Sequence, residues 1–481
     1  MGRFRSLAAI AFAATLLSAC SGDLGGESSA GTGGPSGPDY LPADGVTITE
    51  VAIYQGVERV LMKDGAAPAG VPVVAGRDAL VRVFYSTDAK YDGAPVLGRL
   101  TIGDGPPLEV AGPLGKISKR DALGSTLSFA VKGALMSGGA GFKVEILRNA
   151  SQASGSNSAA VHPAAGQQIL GAVSTGKSLR IVLVPVRYNA DKSGRLPDTT
   201  AGQLKIYRDA LFRIYPVAEV DIRVAEPFDW SGAINGNGNG WVELLNAMTK
   251  LRQTSSAAFD EHYYGVFRAT ETFEQFCNGT CLAGLSQIAP SPMQAWSRVG
   301  IGLGFAGEGS GETAAHEIGH EQGRSHAPCG TAQGVDSSYP YQGGVTGGWG
   351  YDLIGKQLIP PMNVDLMSYC KPKWISDYNY GAVLTRLQAV NAMMALAGAA
   401  AHRYERVMIA PDGKAKWLEP LDLDIPPLGA PEPVQLETLA GVAQVDGYFF
   451  AYSHLPGGIV LVRSPDIRPR ALVLRGAMLR R

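Results

Sequence analysis

Residues 316–326 read His316-Glu317-Ile318-Gly319-His320-Glu321-Gln322-Gly323-Arg324-Ser325-His326. His316 and His320 are four residues apart, which on a helix stacks both imidazoles on one face, one turn apart. Two neutral imidazoles so placed can share one Zn²⁺. Glu317, beside the first of them, can reach a metal-bound water without itself binding the metal. Gly323 can take a positive φ and end the helix, so that the chain turns and His326 returns as a third ligand. Three protein ligands leave one position open, as catalytic zinc requires; a structural site is usually closed by four. Ser310 is the expected N-cap, with Glu312 in the first turn.

Outward from this segment the pattern alternates strand and helix. Leu179–Val184 is a continuous apolar run, typical of a strand buried on both faces. Leu204, Tyr207, Leu211 and Ile214 follow at helical spacing, stopped by Pro216. Val220–Val224 is a second strand, Trp241 to Leu251 a second helix and Tyr263–Phe267 a third strand, with two more short strands at Leu282–Ile288 and Arg298–Phe305. This order predicts a mostly parallel five-stranded twisted sheet with right-handed crossovers. After the histidines come a long Gly/Tyr/Pro loop, 327–364, and a helix from Asp377 to Ala400. Residues 42–165 read as short strands separated by Gly/Pro/Asp clusters and predict a β-sandwich. Residues 404–481 read as a small β domain with a hairpin turn at Leu455-Pro456-Gly457-Gly458. His162, His262, His402 and His454 show no ligand spacing and read as structural or exposed. Asn235–Gly240 reads as a flexible loop: a calcium site is conceivable, but the run offers no carboxylate for a hard cation.

The extended motif resembles that of the metzincin clan of zinc endopeptidases. A second stretch carries the same resemblance: Asp365-Leu366-Met367-Ser368-Tyr369-Cys370 is similar to the clan's Met-turn. The resemblance spans residues 175–403 and implies an α/β (α+β) metzincin catalytic domain flanked by the two β domains. It implies His316, His320 and His326 as ligands of one catalytic zinc and Glu317 as general base. Met367 would lie beneath the metal, and Tyr369 would stabilise the oxyanion or act as a fifth ligand. Leu282-Ala283-Gly284-Leu285-Ser286 resembles the antiparallel edge strand of reprolysin-type members, so Ala283, Gly284 and Leu285 would pair with an extended protein or glycoprotein substrate. Glu321 departs from many reprolysins, which have asparagine there. The preceding β domain is similar in architecture to secreted mucin-cleaving members.

The compartment is read from the N-terminus and the cysteines. Arg3 and Arg5 precede an apolar run, Leu7–Leu17, ending in Leu17-Ser18-Ala19-Cys20. Residues 1–19 thus read as an export signal. The end resembles a bacterial lipobox, which implies a lipidated Cys20, a Gly/Ser-rich tether over 20–41, and an anchor in the cell envelope, at the outer membrane or cell surface. Cys277, Cys281, Cys329 and Cys370 all fall in the catalytic stretch. In an oxidising compartment the favoured pairing is Cys329–Cys370, tying the third-ligand loop to the Met-turn, with Cys277–Cys281 closing a tight loop. A second zinc site from these four is the alternative. A cysteine-switch propeptide is not expected, since Cys20 is the sole cysteine upstream.

The 481 residues suggest two to four domains, with 62 glycines, 42 basic residues and 43 acidic ones. A net charge of -1 leaves no electrostatic footprint for nucleic acid or a polybasic membrane patch. Membrane contact is therefore expected through the lipid alone, and the chain is expected to be a monomer. The reading is a lipid-anchored zinc endopeptidase. The alternative is a cell-surface adhesion lipoprotein with an inactive metzincin domain, in which the β domains would carry the function.

Overall fold

The computed structural model describes residues 39–176, 178–393 and 401–481. The expected signal, Cys20 and most of the tether lie outside the described residues, as does the expected helical stretch 394–400. The tether ends sooner than expected. Tyr40–Pro42 is already a strand, paired antiparallel with Gly141–Asn149.

The N-terminal region contains two antiparallel sheets. One orders its strands as Glu58–Lys63, Val46–Tyr54, Ala79–Thr87 and Leu127–Val131. The other centres on Val96–Ile102 and Gly141–Asn149. Inward residues of both, among them Val51, Val83, Leu100, Phe129, Phe142 and Val144, share one core, as a sandwich requires.

The central sheet follows the alternating strand–helix pattern. Leu179–Tyr188 lies between Val220–Val224 and His262–Phe267, and Val299–Leu303 follows, all parallel. Gly284–Ser286 closes the edge antiparallel to Val299–Leu303. A sixth short strand, Phe228–Trp230, pairs with the far end of Leu179–Tyr188 and was not expected. Helices Ala201–Ile214, Glu308–Glu321 and Asp377–Met393 cover one face, and Trp241–Thr254 the other. The expected loop 327–364 contains a small hairpin, Gly350–Asp352 with Gln357–Ile359. Its strands are too short for an alternation signal.

The tail forms a seven-stranded sheet beginning at His402. It is not an independent module. Tyr404, Met408, Phe450, Tyr452, Ile459 and Leu461 share a core with Val182, Trp241, Leu285 and Trp296 of the central layer. Trp296 and Phe450 meet edge to face at 4.8 Å between centroids. The sandwich docks on the opposite side through Arg77. Its fully buried guanidinium donates to the carbonyls of Gln55, Phe212 and Val217, which satisfies its hydrogen-bonding needs. Trp374 and Tyr380 also face that junction, donating to the Gly56 and Gln55 carbonyls. No helix among the described residues is long and apolar enough to cross a membrane.

Candidate active site

The helix Glu308–Glu321 starts one turn earlier than expected. Gly307 is its N-cap, and Ser310 lies inside, accepting from Gln203 Nε2 at 2.8 Å. Glu308 occupies the first turn, and Glu312 pairs with Lys371 at 2.9 Å. The helix ends as expected. Gly323 has φ +80°, its N–H donates to the His320 carbonyl, and the Arg324 N–H donates to the Gly319 carbonyl. These are the two bonds of a Schellman turn. The chain then doubles back and brings His326 beside the helix.

The three expected ligands converge. His320 Nε2 lies 3.2 Å from His316 Nε2 and 3.1 Å from His326 Nε2. Each Nδ1 faces a backbone carbonyl: Leu366 for His316 at 2.8 Å, Arg324 for His320 at 2.6 Å, and Gln333 for His326. A carbonyl only accepts, so each Nδ1 carries the proton and each Nε2 is a bare lone pair. Burial reinforces this neutral form, holding His316 and His320 well below the ordinary histidine value and His326 at about 4. Lone pairs this close repel unless a cation lies among them. The donor set therefore fits a zinc ion held by three imidazoles.

The floor beneath is the Asp365–Cys370 turn. Asp365 is fully buried. Its Oδ1 accepts from the Met367 N–H and Asn379 Nδ2, both at 2.7 Å. Its Oδ2 accepts from the Ser376 N–H at 2.9 Å and the Ser376 hydroxyl at 2.6 Å. Leu366 then presents its carbonyl to His316, and the Met367 carbonyl accepts from the Ala327 N–H at 2.9 Å. The Cys329–Cys370 disulfide joins this turn to the His326 loop, and Cys277–Cys281 forms the second bridge. Both pairings match the favoured reading, and the alternative of a second four-cysteine zinc site falls away.

Glu317 points away from the floor. Its buried Oε2 accepts from Ser286 Oγ at 2.7 Å and Ser453 Oγ at 3.3 Å, and its Oε1 lies 2.8 Å from His454 Nε2. The reading of His454 as structural or exposed is corrected. The hairpin turn between Gly441–Ala451 and Gly458–Arg463 carries it to the histidine cluster, where one of its ring nitrogens lies within 4.8 Å of those of His316, His320 and His326. Its Nδ1 accepts from the Tyr369 hydroxyl at 2.6 Å. Tyr369 is 41% exposed and stands beside His326 at 4.9 Å between ring centroids. Burial, then the charge of Glu317, pushes its phenol up to about 12, so it remains a donor. His454 was missed because it lies 137 positions from Glu317 and reaches it only through the tail's docking. Ser286 and Ser453 were missed for the same reason.

His262 is not exposed either. It is buried, with Nδ1 2.6 Å from Glu321 Oε2. Burial, followed by the neighbouring charge of Glu317, raises the Glu321 carboxyl well above its usual range, and burial keeps His262 neutral. Gln322 Nε2 donates to His262 Nε2 at 3.0 Å, so His262 Nδ1 donates to Glu321, and this buried pair locks the helix end against the sheet, where the motif's departure from reprolysins had left the role of Glu321 open.

A cleft of about 1120 Å³ opens over the cluster, lined by His316, Glu317, Tyr369, His454, Ala283 and Gly284 among others. The expected substrate strand is shorter than predicted, Gly284–Ser286. The Ala283 carbonyl accepts from the Leu303 N–H, so the alternation of an antiparallel pair also turns Leu285 inward and Gly284 and Ser286 outward. Ser453 already pairs with Ser286, donating its N–H to the Ser286 carbonyl at 2.9 Å. The free edge is thus confined to Gly284, where a side chain would overlap the Glu317 carboxylate. Among the described residues, none lining the cleft belongs to the N-terminal sandwich.

Residues 293–389, which hold both the histidine motif and the Met-turn, match the family model Peptidase M66. This similarity supports a metallopeptidase, and hence a protease, over that segment. No curated protein matches the chain.

Proposed function

We propose that the protein is an exported, lipid-anchored zinc endopeptidase acting on proteins or glycoproteins bound as extended strands. The observation that carries this reading is the convergence of three deprotonated Nε2 atoms, each locked from behind by a carbonyl, beside the Glu317 carboxylate. His316, His320 and His326 would hold the ion. A zinc ion there supplies a lowered water pKa and polarisation of the scissile carbonyl. Glu317 removes the proton of the attacking water and returns it to the leaving nitrogen. Ser286 keeps Oε2 in place, so the proton travels on Oε1, the oxygen that faces His454. Tyr369 donates its hydroxyl to the developing oxyanion. Gly284 offers its backbone to the substrate strand.

The N-terminal signal and lipobox support export and anchoring, and the two disulfides fit an oxidising compartment. Dialysis against a chelator tests the metal. Casein hydrolysis should vanish with the metal and return with about one equivalent of Zn²⁺. Activity that survives complete removal would overturn the reading.

A further inference from the structure

The four imidazoles at the site make a figure that three ligands alone would not. The centroids of His316, His320 and His326 are separated by 4.8, 4.6 and 5.4 Å. The His454 centroid stands 5.1, 5.0 and 4.8 Å from them. The four rings therefore pack at nearly equal separations around one point, with His454 closing the side that the three ligands leave open. Its ring occupies the space that a catalytic site keeps for water and substrate.

Its hydrogen bonds point the same way. Glu317 accepts only, so His454 Nε2 donates to it, as the attacking water would. Tyr369 donates to His454 Nδ1, as it would to the carbonyl oxygen of a scissile bond. One side chain thus satisfies the base and the oxyanion donor together. The loop that carries it is anchored on both sides. Ser453 bonds to Ser286 and Glu317, and Tyr452 donates its N–H to the Gly457 carbonyl. The sheet behind is fused to the catalytic core, so only the Ser453–Gly457 turn needs to move for that space to open.

We propose that His454 is a built-in competitor of the substrate: the C-terminal sheet holds the peptidase self-capped, and the 453–457 turn must withdraw for water and peptide to enter. This rests on the zinc-peptidase reading above. A closed fraction of 99% weakens the apparent affinity of anything that needs the open site about 100-fold.

The test uses the full protein loaded with Co²⁺, read by its visible spectrum and titrated with acetohydroxamate, a small metal-directed ligand. His454→Ala should bind the hydroxamate at least tenfold more tightly than wild type and cleave casein faster. Ser453→Ala, which loosens the turn, should fall between them. Equal hydroxamate affinity in wild type and both variants would overturn the capping role. A tenfold or greater loss of kcat in His454→Ala, with hydroxamate affinity unchanged, would overturn it too and make His454 a catalytic residue. Failure of wild type to take up cobalt would refute the underlying zinc reading instead.

Discussion

Replacing Asp365 with alanine should loosen the floor of the site more than any other single change outside the metal ligands. The carboxylate accepts four hydrogen bonds in a fully buried position. Hydrogen bonds to charged groups are worth about 1.5–3 kcal/mol each, but their losses do not add. Alanine would leave the Met367 and Ser376 N–H groups buried without acceptors, at about 1–3 kcal/mol apiece. Against this, removing the carboxyl also removes its desolvation cost, which burial makes real by pushing its pKa up. The balance is a loss of about 3–5 kcal/mol, the range seen when one partner of a buried polar network is deleted. Asp365→Asn keeps one carbonyl oxygen and should cost about 1–3 kcal/mol. The damage should reach the metal, because the Leu366 carbonyl that orients His316 rides on this turn. Loss of such an outer partner typically weakens metal binding about 10–100-fold. Zinc affinity by chelator competition, together with amide exchange over 365–376, reads both effects. Wild-type zinc affinity and wild-type exchange protection in Asp365→Ala would refute the claim that this turn supports the ligands.

Three further outcomes follow from the same geometry. Opening the Cys329–Cys370 bridge by Cys370→Ser removes a 41-residue closure and should destabilise the catalytic region by about 4 kcal/mol, measured by denaturant midpoint under non-reducing conditions. Gly323→Ala forces a side chain into the left-handed region, with its Cβ 2.7 Å from the Ala289 carbonyl oxygen. It should cost about 2 kcal/mol and speed zinc release, since His326 depends on that turn; an unchanged zinc off-rate would contradict this. Metal binding needs neutral imidazoles, and burial depresses all three histidines, so protons compete only well below the ordinary histidine range. Zinc content after dialysis should therefore hold from pH 7 through pH 6 and fall as pH approaches about 4, where His326 protonates. Loss already at pH 6.5 would contradict the depressed values.

The parts of this fold that were legible in the sequence share a short range. The spacing of His316 and His320 is a property of one helix, and Gly323 announces the turn that returns His326. Leu179–Tyr188 is recognisable because a strand buried on both faces must be apolar throughout. The Met-turn is a contiguous segment, and the Cys329–Cys370 pairing follows from its proximity to the ligand loop, which leaves Cys277 and Cys281 to close a tight loop of their own. What stayed hidden is long-range. Ser286 meets Glu317 across 31 positions and Ser453 across 136, through packing of whole sheets that no local period encodes. His454 had no partner within its own hairpin to mark it, so its place at the cluster emerges only once the tail docks. Glu321 looked like a departure from a family pattern and proved to be half of a buried pair with His262, whose own sequence neighbourhood is an ordinary strand.

The most direct measurement is casein hydrolysis by zinc-loaded protein with and without Glu317, in both the wild-type and the His454→Ala backgrounds. Cleavage should be present in the His454→Ala protein and weaker in wild type. It should fall by at least about 10²-fold in either background when Glu317 becomes alanine, with one zinc still bound. Cleavage that persists without Glu317, or silence in every protein despite a full complement of zinc, would contradict the assignment of this site as a peptidase centre with Glu317 as its base.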